Sequence, residues 1–219
     1  MRFRHEVATV FADRDEAGEY LSDELETRTW FDPLVLGLAR GGVPVAEVVA
    51  RRLQAELDVA VARKIGAPGR QELGVGAVTS SGPAYYDERS LRALGLSSSR
   101  MARIEMRERE EARRRVDRYR EGRKPARVAD RDVILVDDGL ATGVTATAAL
   151  RVLREEGARS VVFAAPVCSP TGAANLLHEA DDVICVSKPL GFRAVGQWYD
   201  DFSQTADEDV IAILSATRK

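Results

Sequence analysis

The sequence predicts an α/β fold in which a central parallel sheet of about five strands is covered by helices on both faces. In the second half of the chain, short apolar runs alternate with amphipathic segments. The runs are continuously apolar, which is typical of strands buried on both faces. Between these runs, apolar residues recur at helical spacing, which predicts a helix between successive strands. The predicted strands lie at residues 132–136, 160–166 and 183–187, and the helices at 144–156 and from Ser169-Pro170 to about residue 179.

The first half predicts further elements of the same kind. Asp13, followed by Glu16 three residues later, is typical of a helix N-terminus. A second helix is expected after Gly42, because Pro44 suits a first helical turn. The predicted strands lie at residues 34–38, 59–62 and 73–79, with a loop at 63–70 before the last of them.

A highly charged helix is expected from about residue 100 to residue 122. Its apolar content is thin and consists mainly of Met101, Ile104, Val116 and Tyr119. A helix of this kind is mostly solvated or spans an edge of the fold, and it can offer a surface to a partner. The sequence leaves these alternatives open.

Composition limits the classes of function. A chain of 219 residues suits one domain, residues 1–219, and can bury a core large enough to fold. A net charge of −3 argues against nucleic-acid binding. The sequence shows no leader-like start and no 18-residue apolar run, so we expect a cytoplasmic protein that binds no membrane. Cys168 and Cys185 lack metal-ligand spacing and are expected to be buried free thiols, not a disulfide framework.

Residues 133–145, VILVDDGLATGVT, carry the chemistry. The strand ends in Asp137-Asp138, and ligands of open α/β sheets bind at the carboxyl ends of strands. The following loop of small residues leads into a helix, whose N-terminal N–H groups favour an anion. Thr142 and Thr145 add hydroxyl donors, while Gly139 and Gly143 permit a tight path. The segment therefore predicts a phosphate site beside two carboxylates.

The two carboxylates restrict the ligand further. An acidic pair repels a bare polyphosphate, whereas ribose hydroxyls can donate charge-assisted hydrogen bonds to Asp137 and Asp138. A nearby Mg²⁺ would offset the remaining repulsion. The alternative is that the pair only caps the next helix, but a cap does not need two carboxylates, two glycines and two threonines.

These thirteen residues resemble the phosphoribosyl pyrophosphate (PRPP) motif of the type I phosphoribosyltransferases. Neither a P-loop nor a dinucleotide-binding glycine motif is present. The resemblance implies a three-layer fold of that family, with Asp137 and Asp138 at the ribose 2′- and 3′-hydroxyls. It also implies that the 5-phosphate is held by Ala141, Thr142, Gly143, Val144 and Thr145.

Two other segments are similar to parts of the same family. Residues 36–42 resemble its pyrophosphate loop, which includes Ala39, Arg40, Gly41 and Gly42, and imply a cis peptide at Ala39-Arg40. An ordinary strand-to-helix turn is the alternative. Arg63-Lys64 resembles the start of a flexible catalytic loop that closes over pyrophosphate. On charge alone, these two side chains would simply be solvated.

The C-terminal segment is expected to help select the acceptor. The resemblance implies a core at about residues 33–187 and a small hood built from the N-terminal segment and about residues 188–205. Lys188 follows the last strand, where it would face a base carbonyl. His5 and His178 have no identifiable partners, and His178 is expected to be structural. The aromatic residues of the hood either stack on a base or pack in the core: Phe192, Trp198, Tyr199 and Phe202.

The resemblance implies a phosphoribosyltransferase that uses Mg²⁺-PRPP and a nitrogenous acceptor, a nucleobase, and releases pyrophosphate. It would serve nucleotide metabolism, in purine or pyrimidine salvage, as a homodimer. Mg²⁺ would be held mainly by PRPP, near Asp137 and Asp138, and the catalytic residues would be Asp137, Asp138, Arg63 and Lys64. A PRPP- or nucleotide-binding regulator without turnover is the main alternative. A hydrolase is less favoured, because no water-activating set of residues is evident.

Overall fold

A central sheet of five parallel strands organises the protein, as predicted. The computed structural model describes residues 10–217; His5 and the earliest part of the N-terminal hood segment lie outside them. The strands in residues 10–217 are β1 (Leu34–Leu38), β2 (Glu56–Ala60), β3 (Ala62–Ala67), β4 (Arg70–Thr79), β5 (Tyr85–Tyr86), β6 (Asp132–Val136), β7 (Ser160–Val167) and β8 (Asp182–Ser187). The strand order in the central sheet is β2-β1-β6-β7-β8.

Helices cover both faces of the sheet. Neighbouring strand residues point to opposite faces, so Val35 packs with the residues of one apolar cluster and Leu36 with those of another. Within residues 10–217, no helix is both long and apolar enough to cross a bilayer. The helices are α1 (Arg14–Glu26), α2 (Gly42–Leu53), α3 (Glu88–Ala93), α4 (Ser98–Arg120), α5 (Val144–Glu155), α6 (Pro170–Leu176) and α7 (Asp207–Ala216).

The largest difference between the predicted and the observed elements lies in the chain after β2. The predicted strand at 59–62 spans a break at Val61, and the predicted loop at 63–70 is mostly strand. Residues of β3 pair antiparallel with β4, and β5 adds a short third strand. The turn between β3 and β4 uses Gly69, whose φ is +73°. Arg63 and Lys64 therefore lie on a hairpin strand.

The helix at residues 169–179 is also shorter than predicted. Ser169 caps α6 by accepting a hydrogen bond from the Gly172 N–H, as the sequence indicates. The helix ends at Leu176, and His178 lies exposed in the turn that follows. Turn-type hydrogen bonds follow the helix, for example from the Glu179 N–H to the Leu176 carbonyl, and the sequence pattern does not separate such a turn from the end of the helix.

The charged helix α4 is present and has buried residues on one face. Met101 packs with the β3–β4 hairpin, while Ala112 and Tyr119 pack in a cluster with α7. Glu108 is also buried, beside Arg63 of β3. The helix thus connects the hairpin to the C-terminal helix.

The prediction of two free thiols is wrong. Cys168 and Cys185 form a disulfide, with 6.1 Å between their Cα atoms. Cys168 directly follows β7, Cys185 lies within β8, and these two strands are hydrogen-bonded neighbours. Strand pairing brings the cysteines within bonding reach. Spacing along the sequence does not show this proximity.

A thiol titration checks the disulfide. We expect the purified protein, unfolded without reductant, to show no reactive thiol, because both cysteines of the chain are paired. After reduction it should show two. A titre of two before reduction would contradict the cross-link.

Candidate active site

The loops after β1 and β6 meet at the carboxyl edge of the sheet. The two strands are parallel neighbours, with Gly37 opposite Val136. The sheet therefore places residues 39–42 beside Asp137 and Asp138. The Ala39-Arg40 peptide is cis, as the resemblance implied. Residues 39–42 and the carboxylate pair, which the sequence predicted as separate segments, thus lie in one site.

Glycines allow this close approach. A Cβ atom on Gly41 would collide with Asp138 Oδ2, and one on Gly42 would collide with the Val136 carbonyl oxygen. The second clash is with backbone, which cannot rotate away as the end of a side chain can. The carboxylate pair and the loop therefore require glycine at their point of contact.

The two carboxylates differ in their surroundings. The Asp138 N–H donates to Asp137 Oδ1 at 2.9 Å. Burial, together with the charge of Asp138, raises the pKa of Asp137 well above its ordinary value. Burial also raises the pKa of Asp138, although Arg14 opposes that rise. The pair therefore favours a ligand that supplies hydrogen-bond donors or positive charge.

Arg14 is a site residue that the sequence did not reveal. Its Nε and Nη2 atoms donate to Asp138 Oδ2 at 3.0 and 2.8 Å. Arg14 begins α1, far from Asp138 in the chain, and no motif includes it. Only the position of α1 against the sheet brings the two together.

A second contact missed from sequence involves the pyrophosphate-type loop. The Arg40 guanidinium lies 3.7 Å from Asp207 Oδ1, at the start of α7. The Tyr119 hydroxyl of α4 donates to the same carboxylate at 2.6 Å. Arg40 thus pairs with a carboxylate of α7 that Tyr119 holds in turn.

The predicted phosphate loop leads into α5. Gly143 precedes the helix with φ +80°, and the Leu140 N–H donates to the Val167 carbonyl at 2.8 Å. Ala141 and Thr142 are exposed, and Thr145 is half-buried in the first turn. N–H groups in a first helical turn lack intrahelical acceptors. The loop and first turn together offer the donors that a phosphate requires.

Arg63 and Lys64 are engaged elsewhere. Arg63 pairs with Glu108 of α4 at 2.8 Å. The Lys64 Nζ donates to the Glu72 carbonyl of β4 at 3.0 Å. Among residues 10–217, neither side chain forms a hydrogen bond or ion pair with Asp137 or Asp138. In this conformation the predicted cations are not part of the site.

The C-terminal segment packs over the carboxylates. Trp198 and Tyr199 are buried in one apolar cluster, and the Tyr199 hydroxyl donates to the Asp138 carbonyl at 2.6 Å. Phe192 is half-buried against the same cluster. Phe202 is 37% exposed, which leaves part of its surface open to a ligand. Lys188 is exposed and, within residues 10–217, forms no hydrogen bond or ion pair with Asp137 or Asp138.

Comparison with known proteins identifies the family. The phosphoribosyl transferase domain matches residues 12–194. The chain belongs to the phosphoribosyl transferase family. The match includes both loops and the carboxylate pair, and it confirms the resemblance seen in the sequence.

Relatives with long matches support the same assignment. A Mycobacterium tuberculosis protein provisionally named a phosphoribosyl transferase is 41% identical over 210 residues, covering 96% of this chain and 47% of that relative. The chain thus spans about half the length of that curated relative. The structure of TT1426 from Thermus thermophilus is 45% identical with a TM-score of 0.83, covering 96% of this chain and 100% of TT1426.

A shorter match concerns uracil phosphoribosyltransferases. The Clostridioides difficile protein of that name is 42% identical over 59 residues, which is 27% of this chain and 28% of that protein. A match of this length supports the family but covers too little of either chain to transfer the acceptor.

Proposed function

We propose that this phosphoribosyl transferase family member transfers a phosphoribosyl group from Mg²⁺-PRPP to a nitrogenous acceptor, a nucleobase, with release of pyrophosphate. The observation that carries the proposal is the contact between Gly41-Gly42 and Asp137-Asp138. In the proposed function, the carboxylate pair binds the ribose and the adjoining loop binds the pyrophosphate. The reaction centre, C1 of the ribose, would lie between them.

The proposed roles follow from this arrangement. Asp137 and Asp138 accept hydrogen bonds from the ribose 2′- and 3′-hydroxyls, which fixes the sugar. The 5-phosphate lies on the loop that leads into α5, where N–H groups and Thr142 donate to it. Residues 39–42 hold the pyrophosphate, whose charge increases as its bond to C1 breaks. Catalysis then rests on positioning and on stabilising the leaving group.

Arg63 and Lys64 would act after a movement of the β3–β4 hairpin. Both are held by contacts within the hairpin or with α4, so closure requires exchange of those contacts for pyrophosphate oxygens. Such a closure would also exclude water from the transferring group. This keeps hydrolysis of the donor slow when no acceptor is present.

The side chains of the candidate site provide only part of what a Mg²⁺ site needs. Among residues 10–217, no cluster of three or more His, Cys, Asp or Glu side chains is arranged to hold a metal ion. The hard oxygen ligands that Mg²⁺ prefers would come from PRPP and water, while Asp137 and Asp138 would accept hydrogen bonds from the ribose nearby. When bound, Mg²⁺ would neutralise pyrophosphate charge.

The acceptor side is proposed to be the hood. Its parts are the N-terminal segment and about residues 188–205, set above a core at about residues 33–187. Phe11 and Tyr199 form an isolated parallel bridge, which joins the two parts directly. Phe192 and Phe202 keep partly exposed rings that suit a flat acceptor. A cytoplasmic location and a homodimer stay predictions.

A regulator that binds PRPP without turnover is the second candidate. The observation that favours it is the present engagement of Arg63 by Glu108, which withholds a cation from pyrophosphate. If the hairpin never releases Arg63, donor binding would persist and transfer would not occur. The two candidates differ in turnover alone.

A nucleobase panel distinguishes them. With Mg²⁺-PRPP, we expect pyrophosphate release only when one base of the panel is present. PRPP at 100 times its dissociation constant should stabilise the protein by about 2.7 kcal/mol, which raises Tm by roughly 5–10 °C. A thermal shift without pyrophosphate release from any base would support the regulator. No shift with PRPP or any nucleoside monophosphate would refute both.

A further inference from the structure

Arg14 is held on three sides. Its Nε and Nη2 donate to Asp138 Oδ2, while Nη1 donates to the Ser203 carbonyl at 2.8 Å. The centre of the guanidinium lies 4.2 Å from the centroid of the Phe202 ring. The side chains of Arg14 and Asp138 are only 12% and 14% exposed. The guanidinium is thus fixed in place, unlike the many surface arginines of this protein.

The position of Arg14 is unfavourable for the helix that carries it. Arg14 is the first residue of α1, and a cation at a helix N-terminus opposes the helix dipole. Helix stability therefore does not explain an arginine here. The contacts of Arg14 with Asp138 and with the C-terminal segment explain why an arginine stands at this position.

The contacts leave one side of the Asp138 carboxylate available. Both hydrogen bonds from Arg14 converge on Oδ2, the oxygen that also faces Gly41. No other side chain among residues 10–217 donates to this carboxylate. Oδ1 can therefore accept from a ligand while Arg14 stays in place.

We propose that Arg14 is a positioning residue for phosphoribosyl transfer: it fixes Asp138 through Oδ2 and so presents Oδ1 to a ribose hydroxyl. This inference rests on the proposed function and adds a residue to it. The same guanidinium holds the Ser203 carbonyl and the Phe202 ring. Arg14 thereby ties the acceptor-side segment to the carboxylate that binds the sugar.

The charges around Asp138 give the proposal a pH signature. Asp137 precedes it, Tyr199 approaches from the C-terminal segment, and Arg14 approaches from α1. Asp201 lies near the far side of Arg14. Of these groups, Arg14 is the one that supplies positive charge. Without Arg14, burial and the neighbouring carboxylate of Asp137 would both raise the pKa of Asp138, and no cation would oppose them. Asp138 would therefore ionise at higher pH.

Steady-state kinetics between pH 5 and 9 test the proposal with Arg14→Met, Arg14→Lys and the control Arg28→Met. Arg28 pairs with Asp182 on the surface, away from the site. For Arg14→Met we expect the KM for PRPP to rise at least tenfold. The acid limb of kcat/KM should move up by about one pH unit or more, because an Arg neighbour lowers an Asp pKa by about 1–3 units.

The conservative variant separates charge from packing. Arg14→Lys should keep the acid limb near that of the wild type, because it retains the cation, while its KM rises less than in Arg14→Met. Arg28→Met should match the wild type throughout. An unchanged acid limb in Arg14→Met would overturn the proposal. Tighter binding of PRPP by that variant would also overturn it, because it would mean that Arg14 competes with the sugar for Asp138.

A ligand-free measurement keeps this test distinct from that of the function. Carboxylate ¹³C NMR of Asp138 in the wild type and in Arg14→Met should show a higher pKa in the variant. If the wild type neither binds nor turns over PRPP, the proposed function fails, and the NMR result still decides whether Arg14 controls Asp138. Equal Asp138 titration in both proteins would refute that control. If Arg14→Met does not fold, Arg14→Gln serves in the same comparison.

Discussion

Asp137→Asn should make the ligand-free protein more stable at pH 7 while it removes PRPP binding and turnover. Burial and the charge of Asp138 raise the pKa of Asp137 well above its ordinary value. The native state therefore binds more protons than the unfolded state between those two pKa values, and stability falls as pH rises through that window. Each unit of raised pKa costs about 1.4 kcal/mol once the pH exceeds it. Asparagine removes this cost and keeps the oxygen that accepts from the Asp138 N–H.

Thermal melts and turnover assays measure both effects. We expect Tm at pH 7 to rise by roughly 2–4 °C per kcal/mol recovered. The gain should shrink towards pH 4 and vanish at lower pH, where the unfolded carboxyl is also protonated. Loss of a charge-assisted hydrogen bond costs about 1.5–3 kcal/mol, and a misplaced sugar adds to that, so kcat/KM for PRPP should fall at least about 100-fold. The double variant Asp137→Asn/Asp138→Asn should show no thermal shift with Mg²⁺-PRPP.

Asp182→Asn is the matched control for this experiment. Asp182 is partly exposed at the start of β8, and it pairs with Arg28 on the surface. Its hydrogen bond from Arg28 is retained only weakly by asparagine, so this variant should lose a little stability and keep full turnover. A ligand-free Asp137→Asn protein that melts lower than the wild type at pH 7 would contradict the assigned pKa. Full activity in that variant would contradict its role.

Gly42→Ala should destabilise the protein and weaken PRPP binding together. The added Cβ would collide with the Val136 carbonyl oxygen and crowd the Asp137 Cα atom. Both are backbone atoms at the end of a central strand, so α2 must shift away from β6. Overpacking of this kind costs about 1–3 kcal/mol, despite the better helix propensity of alanine. We expect Tm to fall by about 2–12 °C.

Gly191→Ala provides the control. A Cβ at Gly191 would meet no atom within 4 Å, and its φ lies outside the left-handed region. This substitution should leave Tm and PRPP affinity unchanged. If Gly42→Ala keeps wild-type stability and affinity, residues 39–42 do not pack against the carboxylates as described.

Most strands of the central sheet could be predicted, because each is a continuous apolar run. The strand β2 was misplaced, because two of its first three residues are acidic and the predicted strand at 59–62 overlaps only its end. Asp132–Val136 was predicted with the bounds that the structure shows, since four apolar residues stand between polar ones. The β3–β4 hairpin could not be predicted, because Arg63, Lys64 and Gly66 have little strand propensity. Pairing with β4 makes it a strand, and such pairing is invisible in a local pattern.

The residues of the candidate site likewise fall into those that the sequence predicts and those that only the fold reveals. Asp137, Asp138 and the glycine loops were found because each motif is contiguous along the chain. Arg14 and Asp207 were missed because each comes from a separate helix and contacts the motif only through the fold. The disulfide was missed for the same reason, although both cysteines were visible. The roles of Arg63 and Lys64 stay predictions, since their present contacts lie outside the site.

The adjacency of β1 and β6 has a consequence for how the protein acquires its binding capacity. The two loops of the candidate site come from strands that are neighbours in the sheet but lie far apart in the chain. During synthesis, residues 39–42 emerge long before residues 133–145, so the early loop has no partner until β6 is added. Closing so long a loop is entropically costly, which makes this pairing a late, non-local step of folding. If the protein binds PRPP as proposed, the binding signal would therefore report when β1 and β6 have paired.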